Sequence, residues 1–236
     1  MKERKKQENY RVIYTKPGEI HPNNYTGELI DRKSLFIANI RKVEKEEDVF
    51  ELIEQMRKKY TEACSHAYAY VMGKHGEYFR CNDNGEPGGT AGRPMMEVLQ
   101  NSGIYGIAVV VSRYYGGIKL GTGGLIRAYT NVVKAALQKC PIAIMTYCER
   151  ICVEMDYSNV GKVLYYMEQN NIRQEASEYT DKVRITVLLA EEKVEKFCKE
   201  VMNLTAGRSL FSILEEGFYQ IPEKLQLFGA SCIIQI

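Results

Sequence analysis

The sequence predicts an α+β protein with two folded parts, and three observations lead to this class. Helix-like and strand-like patterns of apolar residues are mixed along the chain, and from residue 147 onward they follow a βαββαβ order. The charge also changes sign: residues 1–148 hold 22 basic and 16 acidic side chains, whereas residues 149–236 hold 10 and 14. The 236 residues, 45% of them hydrophobic, allow one large domain or two small ones, and the sign change favours two.

The first part opens with strand signals after a polar, basic start. Short runs bounded by Pro and Asn predict strands at residues 10–15, 26–31 and 34–40. Apolar residues at helical spacing then predict an amphipathic helix over residues 46–60, namely Val49, Leu52, Ile53 and Met56. The segments HAYAYVMG and EYFRCND predict two antiparallel strands joined around residues 74–76.

Glycine is concentrated in one stretch, since 11 of the 19 glycines lie between Gly85 and Gly124. Among them we predict a helix over about residues 90–101 and a strand at residues 107–111, whose β-branched run is typical of burial on both faces. A longer helix follows Gly124 and ends near Gln138. Its expected apolar stripe is Leu125, Tyr129, Val132 and Ala136, and its polar side carries Arg127, Asn131, Lys134 and Gln138.

The second part has its own order of elements. Pro141 and the change to acidic composition make residues 140–146 the predicted linker. Strands are then predicted at residues 147–155, 172–178, 183–190 and 209–215, and helices at residues 157–169 and 191–203. This βαββαβ order is the ferredoxin-like plan. We therefore expect an extension at residues 1–25, domains at residues 26–142 and 143–221, and an apolar tail at residues 222–236.

Cysteine spacing and hydropathy indicate the cellular compartment and bear on metal binding and membrane insertion. The seven cysteines form no CxxC pair, and the start MKERKKQENY lacks the apolar core of a secretory signal, so we expect reduced thiols and a cytoplasmic protein. Cys148 and Cys152 have no second Cys or His pair nearby in sequence, so no metal is expected, and no cofactor either. A membrane span would need a run of about 18 consecutive apolar residues, and the sequence contains no such run.

Residues 98–148 contain no Asp or Glu but five cations, which makes them the predicted anion-binding face: Arg113, Lys119, Arg127, Lys134 and Lys139. Glycine lets backbone N–H groups approach a ligand, and a helix that starts after a glycine loop favours anions. Standard nucleotide motifs fail, because Thr122 and Gly123 replace the Lys and Ser/Thr of a P-loop and Ile126 replaces the last glycine of a dinucleotide fingerprint. The alternative is that the glycines serve only tight turns and close packing.

Two further sets of side chains are candidates for chemistry. Asp83, Glu86 and His66 form a possible acid, base or ligand cluster, against the simpler interpretation of turn chemistry and a strand-start hydrogen bond. Tyr114 and Tyr115 lie in the basic block and are candidates for stacking on nucleic-acid bases. Because side chains alternate along a strand, only one of these two tyrosines is expected to point outward.

Two long motifs carry a family resemblance: DNGEPGGTAGRPM and VVVSRYYGGIKLGTGGLIRAY resemble the signature of the YigZ/Impact family. The resemblance is strong over residues 28–136. It implies an N-terminal ribosomal-protein-like αβ domain similar to domain IV of elongation factor G, and a C-terminal domain similar to its domain V. Eukaryotic relatives regulate translation under amino-acid starvation by competing for a partner that activates a translation-initiation kinase. The extension before about Thr26 and the tail after Ile221 depart from the family pattern.

The leading hypothesis is a translation-associated protein, not an enzyme, that contacts RNA or the ribosome through a basic, glycine-rich surface. The residues expected in that surface are Arg93, Arg113, Tyr114, Gly116, Gly117, Lys119, Gly121, Gly123, Gly124, Arg127 and Lys134. One alternative is an enzyme for a small phosphorylated or anionic substrate held at the glycine loop. Another is a regulator that binds a translation-control protein, and the oligomeric state stays open.

Overall fold

The computed structural model describes residues 8–15 and 24–222. The predicted tail after Pro222 and most of the predicted N-terminal extension lie outside these residues. Within the described residues the chain divides into two compact units, the first over Tyr10–Ile142 and the second beginning at Ala143. Each unit contains its own hydrophobic core, with Phe36 and Val109 in the first and Val153 and Phe197 in the second.

The first unit combines six strands with three helices. Its elements in chain order are β1 (Tyr10–Ile13), β2 (Tyr25–Asp31), β3 (Ser34–Lys42), α1 (Glu46–Lys59), β4 (Ser65–Met72), β5 (Tyr78–Asn82), α2 (Gly92–Ser102), β6 (Ile107–Tyr114) and α3 (Thr122–Leu137). Five of the strands form a sheet in the order β2-β3-β6-β4-β5, and every neighbouring pair is antiparallel.

Helices cover both faces of this sheet, so the unit has three layers. Along β6, Ile107, Val109 and Val111 join the core formed with α2 and α3, whereas Ala108 and Val110 pack with α1. This is the two-sided burial predicted from the β-branched run, and it follows from the alternation of side chains along a strand. By the same alternation, Ser112 and Tyr114 face α1, whereas Arg113 faces α2 and α3.

Helix α3 begins at Thr122, three residues earlier than predicted. Its predicted apolar stripe is buried and its predicted polar side is exposed, so the predicted orientation of the helix is confirmed. The edge of Tyr129, a member of that stripe, meets the ring of Phe36 on β3 with centroids 5.3 Å apart.

The second unit contains β7 (Ile142–Met155), α4 (Tyr157–Gln169), β8 (Gln174–Tyr179), β9 (Val183–Ala190), α5 (Glu191–Leu204) and β10 (Leu210–Pro222). The strands pair antiparallel in the order β10-β7-β9-β8. Residues from both helices pack into one core on one face of this sheet. None of the helices in the described ranges is long and apolar enough to span a bilayer.

The predicted linker at residues 140–146 contains the boundary between the two units, but most of it is strand and not loop. Ile142 to Thr146 are the first residues of β7, and Ala143 to Thr146 pair with the end of β10, for example Thr146 with Tyr219. Ala143 and Thr146 are buried, so the apolar run after Pro141 extends the strand instead of joining two domains as a loop.

Candidate functional site

The first glycine-rich motif is organised around Asp83, which follows β5. The Asp83 carboxylate accepts hydrogen bonds from the backbone N–H groups of Gly89 at 2.8 Å, Ala91 at 2.9 Å and Gly92 at 2.8 Å. These donors precede or begin α2, so the carboxylate fixes the loop and satisfies the first turn of that helix. Partial burial opposes ionisation of Asp83, but the three N–H donors outweigh it and lower its pKa below the usual value.

We expect Asp83→Ala to lower the free energy of unfolding at pH 7 by about 1–2 kcal/mol, the usual cost of losing a helix cap. Because the folded-state pKa of Asp83 is lowered, its stabilisation is present above pH 4, about its unfolded pKa, and disappears as the pH falls through the folded value. Urea unfolding at pH 7 and below pH 4 should therefore show a smaller acid-induced loss in Asp83→Asn than in the wild type. An equal loss in both proteins would contradict this role of Asp83.

Glu86 connects the first motif to the second. Nη1 of Arg113, near the end of β6, donates to both carboxylate oxygens of Glu86, at 2.9 and 2.7 Å. The hydroxyl of Tyr129 on α3 donates to the same carboxylate at 3.0 Å. The side chains of Arg113 and Glu86 are only 9% and 5% exposed. Burial, followed by the adjacent Glu86 charge, raises the pKa of Tyr129, which therefore stays a neutral donor.

Aromatic rings enclose the Arg113 guanidinium. Its central carbon lies 5.3 Å from the ring centroid of Phe36 and 5.6 Å from that of Tyr115. We call the set Glu86, Arg113 and Tyr129 the brace. Arg113 was predicted to contact phosphate from the surface, but its burial and its pairing with Glu86 correct that prediction. Its charge is neutralised inside the protein, as a buried cation requires.

His66 does not join Asp83 and Glu86. On β4 it pairs with Ser112 of β6, and His66 Nδ1 and Ser112 Oγ share a hydrogen bond of 2.9 Å. Strand alternation places these two side chains on the α1 face, whereas Arg113 and its partner Glu86 lie on the α3 face. Burial, then the charge of Arg57 on α1, lowers the pKa of His66. The predicted cluster of three catalytic candidates is therefore separated by the sheet.

The remaining predicted cations lie on the outside of the first unit. Lys119, Arg127 and Lys134 are exposed, and no ion pair within the described residues engages their side chains. Arg93 is exposed as well and pairs with Glu97 at 3.2 Å, one turn along α2. The predicted glycines Gly117, Gly121 and Gly123 are exposed, whereas Gly116 is half-buried and Gly124 is buried.

The close packing of Gly116 places the glycine loop beside the β2–β3 turn, which carries two more cations, Arg32 and Lys33. A side chain at Gly116 would lie 2.0 Å from the carbonyl carbon of Lys33, because the glycine loop passes directly over the β2–β3 turn. Arg32 in that turn donates from Nη1 to the backbone oxygen of Lys119 at 3.2 Å. Sequence reasoning missed Arg32 and Lys33, whose two-residue turn lies about 80 residues away along the chain. Their position between two strand patterns was the available signal.

Asp83, Glu86 and His66 neither line the clefts of the described residues given below nor belong to a metal-binding cluster there. Four clefts in the described part of the chain are lined by other residues. Residues 8–15 and 24–222 contain no group of three or more His, Cys, Asp or Glu side chains arranged to hold a metal ion. Asp83 instead accepts structural hydrogen bonds from the backbone, and Glu86 pairs with Arg113 within the brace.

The fold and the site define a two-domain α+β protein in which two glycine-rich motifs are held together by an internal brace beneath a basic surface. Residues 32–137 match the Impact N-terminal domain, and residues 153–208 match a domain of unknown function, DUF1949. The chain belongs to the IMPACT family.

Named relatives occur in bacteria and eukaryotes. The chain is 33% identical over 182 residues to the IMPACT family member YvyE of Bacillus subtilis, which covers 77% of this chain and 84% of the relative. It is 32% identical to the IMPACT family member YigZ of Escherichia coli, over 78% of this chain and 92% of the relative. The Protein IMPACT homolog of Caenorhabditis elegans is 39% identical over 39% of this chain and 38% of its own length.

A solved structure also resembles the chain. It is described as the crystal structure of an hypothetical protein and has a TM-score of 0.54 with 28% sequence identity. The match covers 89% of this chain and 98% of the other.

Proposed function

We propose that this protein is a non-enzymatic, cytoplasmic translation-control factor that contacts RNA or the ribosome through the basic surface of its first unit. The observation that carries the proposal is the set of exposed cations around the glycine loop and along α3. Lys119 and Lys33 belong to the loop region, and Arg127 and Lys134 lie seven residues apart on the exposed side of α3. Residues 98–148, which supply Lys119, Arg127 and Lys134, contain no Asp or Glu.

The enzyme hypothesis is less well supported, because its acid and base candidates are used elsewhere. Asp83 holds three backbone N–H groups and Glu86 neutralises a buried arginine. A general acid or base must reach the reacting group in a substrate pose. Neither carboxylate is free for such contact, and His66 lies on the other face of the sheet.

The second unit supports a finer proposal about architecture. Its βαββαβ element order, the strand order β10-β7-β9-β8 and two helices on one face are features of a ferredoxin-like domain. We also propose that the first unit is similar to domain IV of elongation factor G and that the second domain covers residues 143–221. The first unit starts at Tyr10 and not at the predicted residue 26, because Ile13 of β1 belongs to its core. By analogy of fold, this similarity supports a role at the ribosome.

The test is co-sedimentation with purified ribosomes and subunits across a salt series. We expect wild-type binding to fall steeply with salt, because each phosphate contact releases counterions. Removing two such contacts in Lys119→Ala/Arg127→Ala should weaken binding and reduce the slope of log affinity against log salt by about two. A Lys58→Ala/Lys162→Ala control removes two exposed lysine charges, on α1 and α4, and should leave both quantities unchanged.

A second candidate function is a protein-binding regulator. All five residues of β5 are exposed, including Tyr78 at 68% and Phe79 at 58%, and β5 forms one edge of its sheet. Such an edge can pair with a strand of a partner protein. Ribosome binding that resists salt, ignores the Lys119/Arg127 substitutions and is lost in Phe79→Ser would favour this candidate over RNA contact.

A further inference from the structure

We propose that Tyr115 is a stacking platform for an unpaired base, so that the basic surface recognises single-stranded RNA. This inference rests on the proposed function, because it assumes that the surface binds nucleic acid. The structural basis is an exposed ring held in place by the buried brace.

The two adjacent tyrosines have different surroundings. Alternation along β6 turns Tyr114 toward the α1 face, opposite to Arg113, and Tyr114 is half-buried. Tyr115 follows the end of the strand, and its side chain is 50% exposed. Tyr114 was the tyrosine predicted for the binding surface, and the structure favours Tyr115 in its place.

Tyr115 is positioned by contacts on both sides along the chain. The Arg113 guanidinium lies over its ring at 5.6 Å, and this guanidinium is itself held by Glu86 and Phe36. The next residue, Gly116, donates its backbone N–H to Ser34 Oγ at 3.2 Å and lies against Lys33. A ring fixed in this way loses little conformational freedom when a ligand stacks on its solvent side.

The surroundings of the ring suit a nucleotide. The backbone of Lys33 lies against Gly116, the residue after Tyr115, and Arg32 donates to the backbone oxygen of Lys119 in the same loop. The loop that follows Tyr115 therefore carries Lys119 and packs against a turn with two more exposed cations, Arg32 and Lys33. Aromatic stacking supplies attraction for the base, and lysine or arginine neutralises the adjacent phosphates. Bases inside a duplex are already stacked on each other, so only an unpaired base has a face free for Tyr115.

The experiment uses the full-length protein and an RNA of about 12 uridines with one central 2-aminopurine, a length within the usual site size. Affinity is measured by anisotropy at low salt, and stacking by quenching of the 2-aminopurine fluorescence. We expect Tyr115→Ala to lose about 10-fold in affinity, within the range for one stacked base, and to lose the quenching. Tyr115→Phe keeps the ring and should behave like the wild type.

Three controls distinguish stacking on Tyr115 from general binding to the basic surface. Tyr165→Ala removes a tyrosine that is 65% exposed on α4 and should change neither signal. The same RNA annealed to its complement should bind more weakly and should give no further quenching. Circular dichroism of Tyr115→Ala checks that the fold is kept.

Three outcomes decide the matter. No RNA binding by the wild type at low salt would overturn the proposed RNA contact and this inference together. Salt-dependent binding that Tyr115→Ala leaves unchanged would overturn the role of Tyr115 and leave the basic surface in place. Equal or tighter binding of the duplex would overturn the preference for single strands alone.

Discussion

Glu86→Ala should lower the free energy of unfolding by about 3–5 kcal/mol, the usual cost of leaving one charge of a buried ion pair without its partner. Arg113 would keep its positive charge in an environment where its side chain is only 9% exposed, between the rings of Phe36 and Tyr115. The Tyr129 hydroxyl would lose its acceptor at the same time. Urea unfolding followed by circular dichroism measures the effect.

A double-mutant cycle tests whether the loss comes from the pair itself. The variant Glu86→Ala/Arg113→Met removes both charges, so we expect it to be less destabilised than the sum of the two single variants. Glu97→Ala, which removes the partner of the exposed Arg93, should cost less than about 1 kcal/mol. If Glu86→Ala and Glu97→Ala had the same small effect, the brace would not be a source of stability.

Gly116→Ala should cost about 3 kcal/mol, because the added carbon has no room. It would lie 2.0 Å from the carbonyl carbon of Lys33 and 2.5 Å from the backbone nitrogen of Ser34, and neither backbone atom can move aside as a flexible side chain would. The glycine loop would have to separate from the β2–β3 turn, at the upper end of the usual cost of overpacking. Thermal and urea unfolding both report this loss.

The matched control is the same substitution at Gly123. This residue lies in the first turn of α3, and nothing lies within 4 Å of an added carbon there. Alanine favours helix over glycine, so Gly123→Ala should raise the free energy of unfolding by about 0.5–1 kcal/mol. If the two substitutions change the free energy of unfolding in opposite directions, Gly116 is needed for close approach and Gly123 is not. A change in the same direction at both positions would contradict the close contact with Lys33.

Most elements were predictable because their patterns are local. The helical spacing of Val49, Leu52, Ile53 and Met56 predicted α1, and all four residues are buried. The β-branched run of β6 predicted a central strand, which lies third in a sheet of five. The two long motifs identified the family from the sequence alone, because each combines many residue identities at fixed spacing.

The roles of the charged residues were less predictable. Sequence reasoning treated Arg113 and Arg127 alike, as cations beside glycines, yet one is buried and the other is exposed. The difference comes from Glu86, which lies 27 residues before Arg113 and reaches it only after β4, β5 and β6 have paired. A pattern within a few residues carries no information about a partner supplied by another element.

The sequence by itself determined the family, the order of helices and strands, and which face of each helix is apolar, since these depend on residues close together along the chain. Only the tertiary structure decided that His66 and Glu86 lie on opposite faces of one sheet, that Arg113 is neutralised internally, and that Tyr115 is more exposed than Tyr114. The physical reason is that burial and charge pairing depend on strand register and on contacts between distant segments. A strand shifted by one residue would exchange the two faces and assign these side chains the opposite roles.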